Sequence, residues 1–238
     1  MNKLIEVKKD ISEHINPEKA LFLPRFFKTG PGEYGEGDKF LGVVMPDIRK
    51  IAKKHIDIDI NEVFTLLKSP WHEERMTALI ILVLKFPKLS KDEQTNIYEQ
   101  YLKHTKYINN WDLVDLSCRD IVGKYIFENQ EELPRLDKLA ESSLLWDRRI
   151  AVISTFYFLI KNDPAPTLDV VEKLLLDQHD LIQKANGWML RELGKRIDSQ
   201  ILIDFLKNHY QDLPRTTLRY AIERFPDSIR KQYLKGFF

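Results

Sequence analysis

The chain is short of the residues that staple a fold or bury themselves in lipid. Cys118 is its one cysteine among 238 residues, which excludes an internal disulfide and any multi-cysteine metal site. No apolar run approaches the roughly 18 residues that a membrane helix needs. No segment shows sustained period-2 alternation flanked by turn dipeptides, so strands are not expected. The opening MNKLIEVKKDISEH is charged and carries no signal-peptide apolar block, and a cytoplasmic protein without membrane contact is expected. His72-Glu73-Glu74 does not continue into H-E-x-x-H, and no P-loop, kinase motif or Ser–His–Asp set can be assembled. Neither a metal nor a cofactor is expected. Charge of one sign is also missing. Lys and Arg total 37 against 36 acids, so net charge neither demands nor forbids nucleic acid, and only segregation of the bases onto one surface would matter.

What is present is helical. Apolar residues make up 43% of the chain, enough for a globular core. Leu4, Ile5, Ile11 and Ile15 give a first helical stripe, and Pro17 after Asn16 suits the first position of a second helix that ends or bends near Pro24. Lys28 to Asp38 is a glycine-rich, acidic loop. Its Gly30, Gly32 and Gly35 match G-x-G-x-x-G in letters only. Helical sequence precedes them, and Glu33, Glu36 and Asp38 would repel a pyrophosphate. Pro46 then opens a helix over 47–55 whose Arg49, Lys50, Lys53 and Lys54 form a basic face that could touch phosphate, although a solvated face is the commoner explanation. From there polar punctuation alternates with apolar helices expected over 61–68, 71–86, 91–103, 111–127, 134–141, 145–160, 168–176, 179–196, 199–208 and 214–225.

The second helix of each pair repeats. Trp111 and Trp146 are 35 residues apart, as are Arg149 and Lys184, and Lys184 and Arg219. A helical pair recurring at 35–40 residues indicates a HEAT-like array. The expected fold is therefore an all-α, right-handed solenoid forming one domain over 1–238. Helices in 1–60 cap repeats at about 61–225, and a short tail covers 226–238. Packed helices lie about 8–10 Å apart. Equivalent bases of successive repeats then form a stripe, with Arg149, Lys184 and Arg219 as its backbone and Arg148 and Arg191 nearby. A concave cationic groove suits duplex DNA, whose phosphates supply much of the affinity, and it also suits an acidic protein. Trp111, Trp146 and Trp188 are expected on the same face of three successive repeats, with Asp112, Asp115 and Asp147.

The stretch Asn109-Asn110-Trp111-Asp112-Leu113-Val114-Asp115 puts an indole and two carboxylates at a capped helix start. Trp111 and Asp115, four apart, share a face. Together with Asn16-Pro17-Glu18-Lys19, Phe40-Leu41-Gly42 followed by Pro46, Trp146-x-x-Arg149 and Gln183-Lys184-Ala185-x-Gly187-Trp188-x-Leu190-Arg191-Glu192, it resembles the AlkD-like DNA alkylation repair glycosylases over nearly the whole chain. The resemblance implies a monomeric, monofunctional DNA glycosylase. Such an enzyme hydrolyses the N-glycosidic bond of N3- or N7-alkylated purines in double-stranded DNA, with the lesion left stacked. It places the catalytic carboxylate on Asp115, the sugar-contacting indoles on Trp111 and Trp188, and a groove arginine on Arg149. Lys184 and Arg191 become backbone contacts. A non-catalytic binder of damaged or branched DNA and a HEAT scaffold for an acidic protein are the two other functions these residues would serve.

Overall fold

Short polar caps and prolines decide where the helices start. The computed structural model describes residues 2–236, so Met1 and the last two residues of the expected tail lie outside the described residues. The chain divides into two compact units, residues 1–121 and 122–238. In the first, α1 (Lys3–Ser12) is capped by Asn2, α2 (Pro17–Phe22) by Asn16, and α5 (Ile60–Leu67) by Asp59. A full capping box between Ser90 and Glu93 opens α7 (Lys91–Lys103). Prolines occupy the first turns of α3 (Pro24–Phe27) and α4 (Met45–Lys54), where a missing N–H costs nothing. The central element is α6 (His72–Lys85), which packs on α4, α5 and α8 (Trp111–Cys118). Among the described residues no strand forms, and one isolated bridge joins Lys39 to Trp71.

The second unit repeats the idea. Its helices are α9 (Lys124–Glu128), α10 (Pro134–Ala140), α11 (Leu145–Ser154), α12 (Phe156–Ile160), α13 (Ala165–Lys173), α14 (Asp180–Arg196), α15 (Ser199–His209), α16 (Arg215–Ala221) and α17 (Asp227–Lys235). The seventeen-residue α14 is its hub and packs on α11, α12, α13, α15 and α16. Gly187 allows the closest of these approaches, because a Cβ there would lie 2.5 Å from the Thr217 carbonyl oxygen and against Tyr220. Thr217 reinforces the contact by donating to the Gln183 carbonyl at 3.1 Å.

The all-α expectation holds, with local differences. The helix expected over 111–127 is α8, a π-turn over Arg119–Gly123, and α9. The helix expected over 145–160 is interrupted at Thr155, whose hydroxyl donates to the Val152 carbonyl at 2.7 Å. The segment expected as a tail carries α17 with Tyr233 buried. Trp146 is a correction. It is 4% exposed and belongs to the core rather than to a presented aromatic row.

Candidate active site

Burial divides α8 into two faces. Leu113, Val114, Ser117 and Cys118 point inward, and the Ser117 hydroxyl meets the buried Tyr101 phenol at 2.7 Å. Trp111, Asp112 and Asp115 lie on the opposite, part-exposed side. Asn110 caps the helix from a fully buried position, its amide oxygen accepting the Trp111 N–H at 2.9 Å.

The start of α8 is tied down from beneath by groups far away in sequence. Asp112 accepts a hydrogen bond from Nε2 of His72, the first residue of α6, at 2.8 Å. The other ring nitrogen of His72 lies 3.0 Å from Asp38. Asp38 also accepts from the Arg75 guanidinium and, at 3.2 Å, from the Asn110 side-chain amide. Its side chain is 1% exposed. Burial alone would raise the Asp38 carboxyl, but the hydrogen bond from His72 and the charges of Arg75 and His72 hold it below the usual range. Burial likewise opposes a charge on His72. Hydrogen bonds to Asp112 and Asp38, with their negative charges, override it and push the imidazole up to about 9. Both ring nitrogens therefore donate. Aromatic rings close the assembly. Phe27 stacks on Trp111 (5.6 Å) and packs at a tilt against His72 (5.0 Å), and Phe40 stacks on His72 at 4.9 Å.

The acidic loop is the device that delivers Asp38. Its turns use left-handed backbone at Lys28, Gly32 and Gly37. Glu33 and Glu36 accept the backbone N–H groups of Gly30 (2.8 Å) and Gly32 (2.9 Å), so these acids hold the loop's own backbone. Immediately after it, Glu73 of α6 takes the Leu41 and Gly42 N–H groups at 2.9 and 2.7 Å. Beside this region lies a largely apolar recess of about 330 Å³, walled by Phe22, Phe26, Phe27 and Phe40, with His72 and Asp112 at one side.

In the second unit, Lys184, Trp188 and Arg191 follow one another at four and three residues along α14 and share a face. Trp188 is half-buried, its ring 6.0 Å from that of Phe156. Most of the candidate bases already hold protein groups. Arg149 is 5% exposed and donates to the Leu181 carbonyl at 2.5 Å, bracing α11 against the first turn of α14. Arg148 binds Asp177 (2.7 Å) and the Ser142 and Ser143 carbonyls (3.0 Å each). Lys184 pairs with Asp180 at 2.8 Å, and Arg191 with Glu223. Arg219 on α16 is exposed.

Comparison with known proteins decides the family. The family model described as DNA alkylation repair enzyme matches residues 7–225. The chain belongs to that family. A predicted DNA alkylation repair enzyme from Enterococcus faecalis shares its fold with a TM-score of 0.70, at 17% identity over 90% of this chain and 98% of that one. The protein smu.31 from Streptococcus mutans UA159 gives a TM-score of 0.55 at 21% identity over 94% and 98% of the two chains. No curated protein matches the sequence significantly.

For this member of the DNA alkylation repair enzymes, sequence reasoning singled out Trp111 and Asp115 but missed what supports them. His72 lies 40 residues from Asp112 and Asp38 lies 72 from Asn110, the two positions at the start of α8 that they brace, and Arg75 acts through Asp38. The local hint was an Asp closing a glycine-rich turn, followed far downstream by a His at a helix start. Asp112, adjacent to Trp111 in sequence, is occupied by His72.

Proposed function

We propose that this DNA alkylation repair enzyme is a monofunctional DNA glycosylase. It would release N3- or N7-alkylated purines from duplex DNA, without a covalent lyase step and without extruding the base. The observation that carries the reading is the outward face of α8. Trp111 and Asp115 stand on it while Asp112, Asn110 and the Trp111 ring are fixed by buried partners.

The chemistry requires little more. An alkylated purine is cationic, so it departs with the C1′–N bond's electron pair as a neutral base and needs no strong general acid. The sugar left behind is oxocarbenium-like, as in glycoside hydrolysis. Asp115 would stabilise that positive charge and orient the water that adds to C1′, whose proton passes to the carboxylate and then to solvent. The negative face of the Trp111 indole favours the same cation, and Trp188 is assigned the second indole role. Lys184, Arg191 and Arg219 would meet phosphates, with Arg148 and Arg149 shaping the surface from which they project.

Duplexes carrying 3-methyladenine or 7-methylguanine should lose free base on incubation with the pure protein. Asp115→Asn should cut the single-turnover rate by about 10²–10³-fold, with fold and most DNA affinity kept. Wild-type protein that binds DNA but releases no base would leave a non-catalytic DNA binder. An unchanged rate in Asp115→Asn would move the carboxylate role elsewhere.

A further inference from the structure

Neither nitrogen of His72 has an alternative to a carboxylate. Asp38 sits 3.0 Å from Nδ1 and Asp112 2.8 Å from Nε2. A neutral imidazole has one N–H and one lone pair, so it would satisfy one contact and set a lone pair against a carboxylate in the other. With both carboxylates ionised, the arrangement closes only with an imidazolium. That cation is 5% exposed and is covered by the rings of Phe27 and Phe40, which also stack on each other.

The charged groups around it come from each neighbouring segment. Asp38 arrives from the acidic loop, Asp112 from α8, and Arg75 and Glu73 from α6 itself. Lys19 of α2 borders the adjoining recess. The surfaces of α3 and α4 that reach the recess are apolar, through Phe27, Met45 and Ile48. Glu73 is committed to the Leu41 and Gly42 amides, and Arg75 to Asp38 and the Ser69 carbonyl. His72 is thus the cation to which Asp112 is bound, and Asp112 belongs to the first turn of α8. Asn110, the cap of the same turn, is bound to Asp38. Two successive points on α8 are therefore fixed through one cluster, and Phe27 links that cluster to the ring of Trp111.

We propose that His72, as an imidazolium clasped by Asp38 and Asp112, is the positioning residue for the first turn of α8 and sets how Trp111 and Asp115 are presented. Its effect on rate rests on the glycosylase reading above; its effect on α8 does not. Loss of the proton frees Asp112 and lets the helix start shift. A misplacement of about 1 Å in a reacting geometry costs about 10²-fold in rate.

The test has two arms. In the first, His72 ring resonances and the Trp111 indole N–H of the full-length protein are followed by NMR from pH 6 to 10. His72 should titrate near pH 9 with the Trp111 signal moving in step. In His72→Gln the Trp111 signal should stay flat at a displaced position. Titration of His72 near 6.5, or a Trp111 signal indifferent to it, overturns the proposal.

In the second arm, single-turnover base release by wild type and His72→Gln is compared on one 3-methyladenine duplex. Taking their ratio cancels any titration of the substrate. Wild type should exceed the variant by tenfold or more at pH 7, with DNA affinity within about twofold, and the ratio should fall towards one as pH rises through 9. A merely structural histidine would leave the ratio without that alkaline limb, and such a result overturns the proposal. If His72→Gln fails to fold, the wild-type NMR titration decides alone. Wild type that releases no base defeats the glycosylase reading, whereas co-titration of Trp111 with His72 still decides this one.

Discussion

Replacing Asp38 by Asn is the sharpest probe of how the first unit holds together. The substitution keeps shape and volume and removes one buried charge. In the native protein the carboxylate accepts from the Arg75 guanidinium, from His72 at 3.0 Å and from the Asn110 amide at 3.2 Å, with its side chain 1% exposed. An Asn can present its single oxygen to Arg75, but its NH2 group then faces the N–H of His72 and the amide of Asn110. Donor meets donor at two of three contacts. Arg75, itself 4% exposed, is left with the Ser69 carbonyl and no counter-charge beside it. Removing one partner of a buried ion pair costs about 3–5 kcal/mol, because the surviving charge stays buried and uncompensated. Domain stabilities run to about 5–15 kcal/mol, so the loss is a large share of the total. Urea unfolding of Asp38→Asn, followed by the fluorescence of the tryptophans, should show an unfolding free energy lowered by that amount, as a lower midpoint with an unchanged slope. His72 should fall back towards an ordinary pKa in the same variant. A loss below about 1 kcal/mol would show that water or a rearranged side chain compensates Arg75, and the hub assigned to Asp38 would be wrong.

Stability should also fall on the alkaline side. The folded-state pKa of His72 lies above its unfolded value, so its contribution is complete below pH 6.5 and is lost as pH rises through about 9. The gap corresponds to about 3 kcal/mol, measurable by urea titration, and it should vanish in His72→Gln. Gly187→Ala should cost about 1–3 kcal/mol by forcing α14 away from Thr217 and Tyr220, whereas an unchanged thermal midpoint would mean the helices give way freely. Arg149 and Lys184 should separate in their effects. Arg149→Ala should destabilise by about 1.5–3 kcal/mol through loss of the buried, charge-assisted hydrogen bond to the Leu181 carbonyl. Lys184→Ala should leave stability nearly intact but reduce the salt slope of duplex binding by about 1.

The helices were legible because burial leaves a period of 3.6 in the sequence, and caps and prolines mark its ends. The run 91–103 coincides with α7, and 199–208 matches α15 to within one residue. What periodicity cannot encode is which long-range polar partner a buried group finds. Thirty-four residues separate Asp38 from His72, and a further forty separate His72 from Asp112. The repeat spacing placed Trp146 beside Trp111 as a presented indole. Spacing fixes the rotational position of a residue only relative to an ideal repeat, and α11 is turned so that Trp146 enters the core. Similarly, Arg148 and Arg149 read as a cationic stripe because sequence does not reveal the Asp177 carboxylate and the Ser142, Ser143 and Leu181 carbonyls that already hold them.

The two carboxylates of α8 show why that distinction matters for chemistry. Asp112 and Asp115 have the same acid group, stand on the same helix and are three residues apart, or about 4.5 Å along its axis. Sequence favours Asp115, through the face it shares with Trp111 and through the family resemblance, but offers no physical reason against Asp112. The structure places an imidazolium 2.8 Å from Asp112. A developing sugar cation near Asp112 would meet that positive charge at the same time as the carboxylate, and the two effects would largely cancel. The Asp112 carboxylate is therefore suited to anchoring the helix and poorly suited to stabilising a cation. One turn further on, Asp115 shares the outward face with Trp111 while the imidazolium is held at the preceding turn. The division of labour can be tested experimentally. With His72→Gln the counter-charge disappears, and Asp112→Asn in that background should alter the rate far less than Asp115→Asn does. Comparable losses from the two substitutions would show that the carboxylates act as a pair.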